Sequence, residues 1–357
     1  MLKRTILFLF GLFLLLRSLG ASEDWTDIPE ADLKLMGNYV GQWFNAPKNS
    51  YQEINPTLSA QVINVDVGVY DVKFVQNLDR RADNYYLATG APLFDDVIRF
   101  GKDGWSFEVD KDGLHGFGTV YGKVAEFKLK RVVLESPTMG KKAPKGATVL
   151  FDGSNFDAWE HTDGRPLTWT LTKEGYMEVN PSAAHKDAKP PVGGAINTKE
   201  TFKDVRYHME FRYPVEPGKH GQGRGNSGLF FQGNDVAFAY EVQILNSYGL
   251  EGYWNECGGL YRMIAPKVNA ARPPLQWQTY DVEYRAARYK DGELVKRPRI
   301  TVWLNGVLIH NDQELFHGTQ HVEAQRSNLP PKDPGPIMLQ DHSNRIQFRN
   351  IWVERLD

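Results

Sequence analysis

Residues 205–214, VRYHMEFRYP, send Tyr207, Met209, Phe211 and Tyr213 to one side of an extended chain and Arg206, His208, Glu210 and Arg212 to the other. A period of two marks a strand with one face against a core. TYDVEYRA, residues 279–286, repeats the pattern with Tyr280, Val282 and Tyr284 in phase. RITVWLNGVLIHND, residues 299–312, folds back on Asn305-Gly306, a pair that accepts positive φ and favours a two-residue hairpin. Short strands at regular spacing, with no long helical pattern, predict an antiparallel β-sandwich of the jelly-roll kind for this half, in preference to a closed barrel.

Outward from there, the chain of 357 residues is long enough for two domains. Residues 136–146 hold two prolines, two glycines and three lysines with little to bury, which predicts an exposed linker. Ahead of it, AQVINV, VYDVKFV, WSFEVD and FKLKRVV read as strands of a small β-rich accessory domain. The division is residues 1–21 as signal peptide, 22–136 as accessory domain, 137–146 as linker and 147–357 as sandwich. The signal peptide rests on Lys3 and Arg4, an apolar run from Ile6 to Leu16, and small residues at Ser18 and Gly20. An uncleaved anchor is the alternative, although the run is short for a span. With a single cysteine, Cys257, no internal disulfide can form. An exported protein of bacterial type, periplasmic or secreted, without a stable membrane anchor after cleavage, fits these features. Lys+Arg 42 against Asp+Glu 44 leaves no basic face for a nucleic acid.

Three segments place polar groups where a sandwich strand turns away from its core. RGNSGLFFQG puts Asn226, Gly228, Phe230 and Gln232 in one phase, with Arg224 upstream. YEVQILNSYG puts Glu241 and Gln243 together, leaving Val242 and Ile244 to the core. MLQDHSNRIQFRN adds Gln340, Asp341 and His342, with Arg349 beyond. After Phe348 the alternation changes phase, which predicts a bulge near Arg349-Asn350. Amides, guanidinium, carboxylate and imidazole suit sugar hydroxyls, and aromatic faces suit sugar rings. In the loop at residues 255–281, Tyr261 and Trp277 are candidates for a rim, Trp277 equally for a plug at the core's edge. Cys257 lacks a thiolate-activating neighbourhood. No nucleophile elbow, HExxH, phosphate loop or CxxC pair is present.

From GATVLFDGSNFDAWEH to GPIMLQDHSNRIQFRNIWVERL the chain resembles the 3-keto-disaccharide hydrolase domain family. LFDGSNFDAW, RGNSGLFFQG, YEVQILNSYG, GGLYRMIAPKVNAARPPLQWQTYDV and LQDHSNRIQFRNIWV carry the resemblance in order. It implies a concanavalin-like jelly roll acting on glycosides oxidised at carbon 3. Ser343 stands where the family pattern usually has glycine, and Arg262 is larger than its norm and would narrow the pocket.

The implied chemistry is removal of the acidified proton on carbon 2, elimination of the glycosidic oxygen from carbon 1, and hydration. That route needs an acid, a base and enolate stabilisation. Glu241 and His342 would share the acid and base work, in an order the sequence leaves open. Imidazoles exchange protons near neutrality, whereas a glutamic acid needs an apolar wall to raise its pKa. Arg224, Asn226, Gln243, Tyr261, Gln340 and Arg349 would contact substrate. Asp341 would orient His342 or pin its loop. A divalent cation could polarise the ketone, with no ligand set visible. A non-catalytic carbohydrate-binding module is the alternative; a scaffolding or envelope-assembly role has least support.

Overall fold

The structure, a computed structural model, describes residues 30–45, 56–79, 84–120, 122–233, 238–320, 323 and 329–356. The expected signal peptide lies outside the described residues. No described helix is long and apolar enough to cross a membrane.

The molecule is mainly β, an antiparallel sandwich preceded by a smaller β domain. In the smaller domain, eight strands from Gly37–Phe44 to Lys123–Val132 each pair antiparallel with the next, and the first pairs with the last. The result is a closed barrel, which leaves no free edge. Inward residues fill it: Trp43, Phe74, Trp105 and Phe127 are buried, and Trp105 meets the other three at ring separations of 4.6 to 5.8 Å. Gly118 admits the Trp105 ring, which lies 2.6 Å from where a Cβ would stand.

The sandwich has a five-stranded sheet ordered Trp159–His161, Ile196–Thr198, Ile337–Leu339, Ser227–Phe231 and Tyr240–Ile244. The larger sheet runs Thr170–Leu171, Met177–Glu178, Gln347–Arg355, Val205–Arg212, Gln278–Arg285, Arg299–Leu304 and Val307–Glu314, with Thr148–Phe151 also pairing Gln347–Arg355. Tyr207, Met209, Phe211, Tyr280, Val282 and Val302 of the larger sheet meet Leu229, Phe231, Val242, Ile244 and Leu339 of the smaller in one core. The predicted hairpin turns on Asn305 at φ 54° and Gly306 at φ 77°. The phase change after Phe348 is a bulge: His208 pairs Trp352 and Glu210 pairs Arg349, with Asn350 at φ 47°. Phe348, Ile351 and Val353 thereby all reach the core.

Residues 137–146 are exposed or half-buried, and their first half is a strap across the outer face of the larger sheet. Thr138 Oγ1 donates to Asp281 Oδ2 at 2.5 Å, Gly140 N to Glu210 Oε1 at 2.6 Å, and Trp352 Nε1 to Lys141 O at 3.0 Å. Proline and glycine density forecasts irregular backbone but not whether its polar groups find partners. Here the partners are Asp281, Glu210 and Trp352, all buried on the sheet face turned away from the core. His208 Nδ1 lies 2.9 Å from Asp281 Oδ1, and its ring stacks on Trp352. Burial opposes charge on His208, but hydrogen bonds to Asp281 and Glu210 outweigh it and raise the pKa. Burial likewise opposes ionisation of Glu210, yet donors from His208, Asn350, Gly140 and Arg349 pull it down to about 2.

The barrel docks beside the sandwich loops. Lys73 Nζ reaches Gly249 O at 3.2 Å and Glu251 Oε1 at 2.8 Å; Tyr248 hydroxyl donates to Asn38; Arg272 pairs with Asp79 at 3.0 Å. Val215 packs into the barrel's own core cluster.

Asp281→Asn removes the carboxylate shared by His208 and Thr138. Denaturant titration near pH 6 should show a loss of about 3 kcal/mol, the scale for breaking a buried pair. Since the folded pKa of His208 is raised, the stabilisation is complete below the free value of 6.5 and fades as pH climbs through the folded value. The gap between wild type and variant should narrow on the alkaline side. A widening gap there would mean that the clasp holds a neutral imidazole.

Candidate active site

Because Leu229, Phe231, Val242, Ile244, Ile337 and Leu339 enter the core, their neighbours Gly228, Phe230, Glu241, Gln243 and Met338 point off the opposite face of the five-stranded sheet. Gly228 pairs Gln243, and Phe230 pairs both Glu241 and Met338. Gln340 N donates to Gly228 O at 3.0 Å, so Gln340, Gly228 and Gln243 form one row beside Met338, Phe230 and Glu241. A Cβ on Gly228 would lie 2.7 Å from Glu241 Oε1 and 2.6 Å from Phe230 Cε2. Only glycine leaves that carboxyl room.

Glu241 is 3% exposed. Burial pushes its pKa up to about 8, and among the described residues no cation stands against it to offset the loss of water. The carboxyl is therefore mostly protonated at neutral pH. Tyr261 N donates to Glu241 O at 3.1 Å, and burial followed by the nearby Glu241 charge raises the Tyr261 phenol.

The amides converge on Gln222, a residue the sequence pattern did not single out. Asn226 Nδ2 donates to Gln222 O at 2.8 Å, Gln243 Nε2 to Gln222 Oε1 at 3.1 Å, and Gln222 Nε2 to Asn255 O at 2.7 Å. With their amino groups so committed, Asn226 Oδ1 and Gln243 Oε1 are buried without a partner among the described residues, as is Gln340 Oε1. An unmet buried acceptor costs about 1–3 kcal/mol, and three around one carboxyl make a set of acceptors open to hydroxyl donors. Arg224 is 9% exposed, and among the described residues its guanidinium makes no hydrogen bond or ion pair. Burial lowers its pKa, against the pull of Tyr213, Glu256, Glu216 and the barrel's Asp71.

The turn that carries His342 has a tether of its own. Asn344 Nδ2 donates to both Glu216 carboxylate oxygens at 2.8 and 2.9 Å, and Glu216 Oε2 accepts Gly225 N at 2.6 Å. The turn bearing His342 is thus bound to the segment bearing Gln222, Arg224 and Asn226. Asp341 commits its carboxylate to backbone: Oδ2 accepts Ser182 N and Gly194 N, and Oδ1 accepts Ser343 N. Ser343 sits at φ 68°, where a serine is strained and a glycine is not. His342 is exposed, and among the described residues no hydrogen bond or ion pair joins it to Glu241.

Arg349 does not join this set. It projects from the outer face of the larger sheet, across the core from Glu241, where Nε donates to Glu210 Oε2 at 2.6 Å. Its neighbour Phe348 enters the core, so alternation turns Arg349 outward, and the bulge keeps Asn350 on that outer side as well. Trp277, a rim candidate, lies on that same far face, with the Arg349 guanidinium 4.1 Å and the Arg212 guanidinium 4.7 Å from its ring centroid. Cys257 is buried against Tyr280, and burial pushes its thiol up to about 11. Among the described residues, the one group of three potential metal ligands is Glu108, Asp110 and His115 on the barrel. Around Glu241 the donors are one carboxylate and neutral amides.

Glu241→Gln tests the protonated carboxyl. Between the free value near 4.5 and about 8, the folded state keeps a proton that the unfolded chain has released, so wild-type stability falls as pH rises. The variant lacks that slope. Relative to wild type it should gain stability between pH 4.5 and 8, on the order of 3–5 kcal/mol by denaturant titration. A variant destabilised equally at both ends would indicate an ionised, paired Glu241.

The family model described as "3-keto-alpha-glucoside-1,2-lyase-like domain" matches residues 146–354. A 3-keto-disaccharide hydrolase of Bacteroides thetaiotaomicron is 24% identical over 259 residues, 59% of this chain and 79% of that protein. Among solved structures, a candidate glycosyl hydrolase of Parabacteroides distasonis is 36% identical with a TM-score of 0.52, covering 60% of this chain and 86% of the other. A second from the same organism is 22% identical at a TM-score of 0.44, covering 60% and 95%.

Proposed function

The chain belongs to the 3-keto-alpha-glucoside-1,2-lyase-like domain family, and from that membership we propose that it is an exported enzyme cleaving 3-keto-glycosides by elimination and hydration. The glycoside-hydrolase character of its relatives supports the reaction class. One observation carries the reading to the site: a carboxyl held protonated at neutral pH, in space opened by Gly228, beside three unmet acceptors.

Each group's chemistry fixes its part. Asn226, Gln243 and Gln340 present oxygens, so they receive sugar hydroxyls. Arg224 presents only donors, so it faces the carbon-3 oxygen, which gains negative charge when the carbon-2 proton leaves. His342, an exposed imidazole on the turn that follows Gln340, is the base for that proton. Glu241 enters protonated and gives its proton to the glycosidic oxygen as its bond to carbon 1 breaks. Water then adds its hydroxyl to carbon 1 and gives its proton to the Glu241 carboxylate, while His342 returns its proton to carbon 2. Net hydrolysis results, and both residues regain their starting protonation. The amides alone would serve a carbohydrate-binding module, which gains nothing from a buried neutral acid.

The test is incubation with a 3-keto-disaccharide in deuterated water, following free sugar and deuterium at carbon 2. Glu241→Gln should cut sugar release by about 10²–10⁴-fold while carbon-2 exchange persists. His342→Ala should lose both. Wild-type cleavage should decline above pH 8 as Glu241 ionises. Unchanged turnover in both variants would remove these roles, and binding without turnover would favour the module.

A further inference from the structure

The cleft is bordered by a loop whose backbone is fixed from three directions while its largest side chain stays open to solvent. From the barrel, Lys73 Nζ grips Gly249 O, Leu250 O and the Glu251 carboxylate. From within, Glu256 Oε2 accepts Gly252 N at 2.5 Å and Tyr253 N at 3.0 Å. From the cleft, Gln222 donates to Asn255 O. Between these anchors Trp254 is 38% exposed. Its ring stands perpendicular to Tyr261, with centroids 5.2 Å apart and planes at 80°. The Arg262 guanidinium lies 5.8 Å from each ring. Arg262 is at φ 61°, a strained position for an arginine, and its side chain hydrogen-bonds the Tyr261 hydroxyl.

We propose that the Trp254–Tyr261 corner is the leaving-group subsite, built to stack a ring, either the apolar face of a second pyranose or an aryl aglycone. The assignment rests on the 3-keto-glycoside reading, because that reading orients the substrate. Glu241 protonates the glycosidic oxygen, so the departing group lies on the Glu241 side, away from the ring that carries the ketone. The neighbour of Glu241 there is Tyr261, through the backbone bond of Tyr261 N to Glu241 O, and Trp254 is one ring further out. A rigidly mounted indole left open to water offers a stacking face at little cost in ordering on binding. Lys73 makes the barrel a support of this corner.

Three 3-keto substrates sharing one glucosyl part test it: a disaccharide, an aryl glucoside and the glucosyl fluoride, whose leaving group is too small to reach the corner. Trp254→Ala should raise KM about five- to tenfold for the first two and leave KM for the fluoride within twofold. Trp254→Phe should restore most of the loss. An equal effect on all three substrates, or none on any, overturns the subsite. Calorimetric titration with a disaccharide and its component monosaccharide keeps the two ideas apart. If wild type turns over none of the 3-keto substrates, the reaction reading falls, whereas a disaccharide preference that vanishes in Trp254→Ala still supports the corner and its absence overturns it.

Discussion

Glu241 is kept from water and, among the described residues, has no cation against it, and the surrounding architecture exists on terms set by that arrangement. The sandwich supplies its own control. Glu210 is also buried, also on a strand, and also on the side away from the core. Yet it is pulled to about 2, while Glu241 is pushed to about 8. Burial works in the same direction on both. The difference is company: Glu210 has His208, Arg349, Asn350 and the Gly140 amide, whereas Glu241 has Phe230 and the gap at Gly228. One carboxylate is a fastening for the strap. The other stores an unfavourable proton equilibrium, which is the condition under which a side chain can donate at neutral pH.

A destabilised group persists only if its surroundings cannot relax around it. The tethers converge on that requirement. Gln222 fixes the amides by bonds to Asn226, Gln243 and Asn255, and Glu216 fixes the His342 turn through Asn344. The barrel, its interior filled with aromatic rings, contributes its outer wall: Lys73 and Asn38 hold the segment at residues 248–251 from behind. The first domain is therefore mechanically continuous with the loops around the cleft.

Much of this was written locally and some was not. Period-two alternation in VRYHMEFRYP and YEVQILNSYG is enough to place Phe211 and Val242 inside and Glu241 outside, because a strand has only two faces. The Asn305-Gly306 turn follows from φ alone. Closure of the barrel does not, since it pairs Gly37–Phe44 with Lys123–Val132, strands separated by the whole domain. The same limit hid Gln222 and Asn344, whose partners lie 21 and 128 positions away in sequence. Arg349 was misplaced for a different reason. Its bulge was legible as a phase change, but a phase change does not say on which sheet, and hence on which side of the molecule, the strand lies.

The unequal depths of Glu241 and His342 have a chemical sense under the proposed elimination. The acid must hold its proton until the glycosidic bond yields, and a site closed to water, lined by Phe230, keeps it from ionising early. The base has the opposite need. It takes a proton from carbon 2 and must exchange or return it, and hydration then requires water at the sugar. An exposed imidazole on a turn tethered to the cleft wall through Glu216 and Asn344 has solvent beside it. A pair at equal depth would serve one of these needs badly. With both buried, water arrives late; with both exposed, Glu241 reverts to an ordinary carboxylate. Under the proposed elimination, separation by depth lets a protonated acid and a water-exposed base work at the same pH.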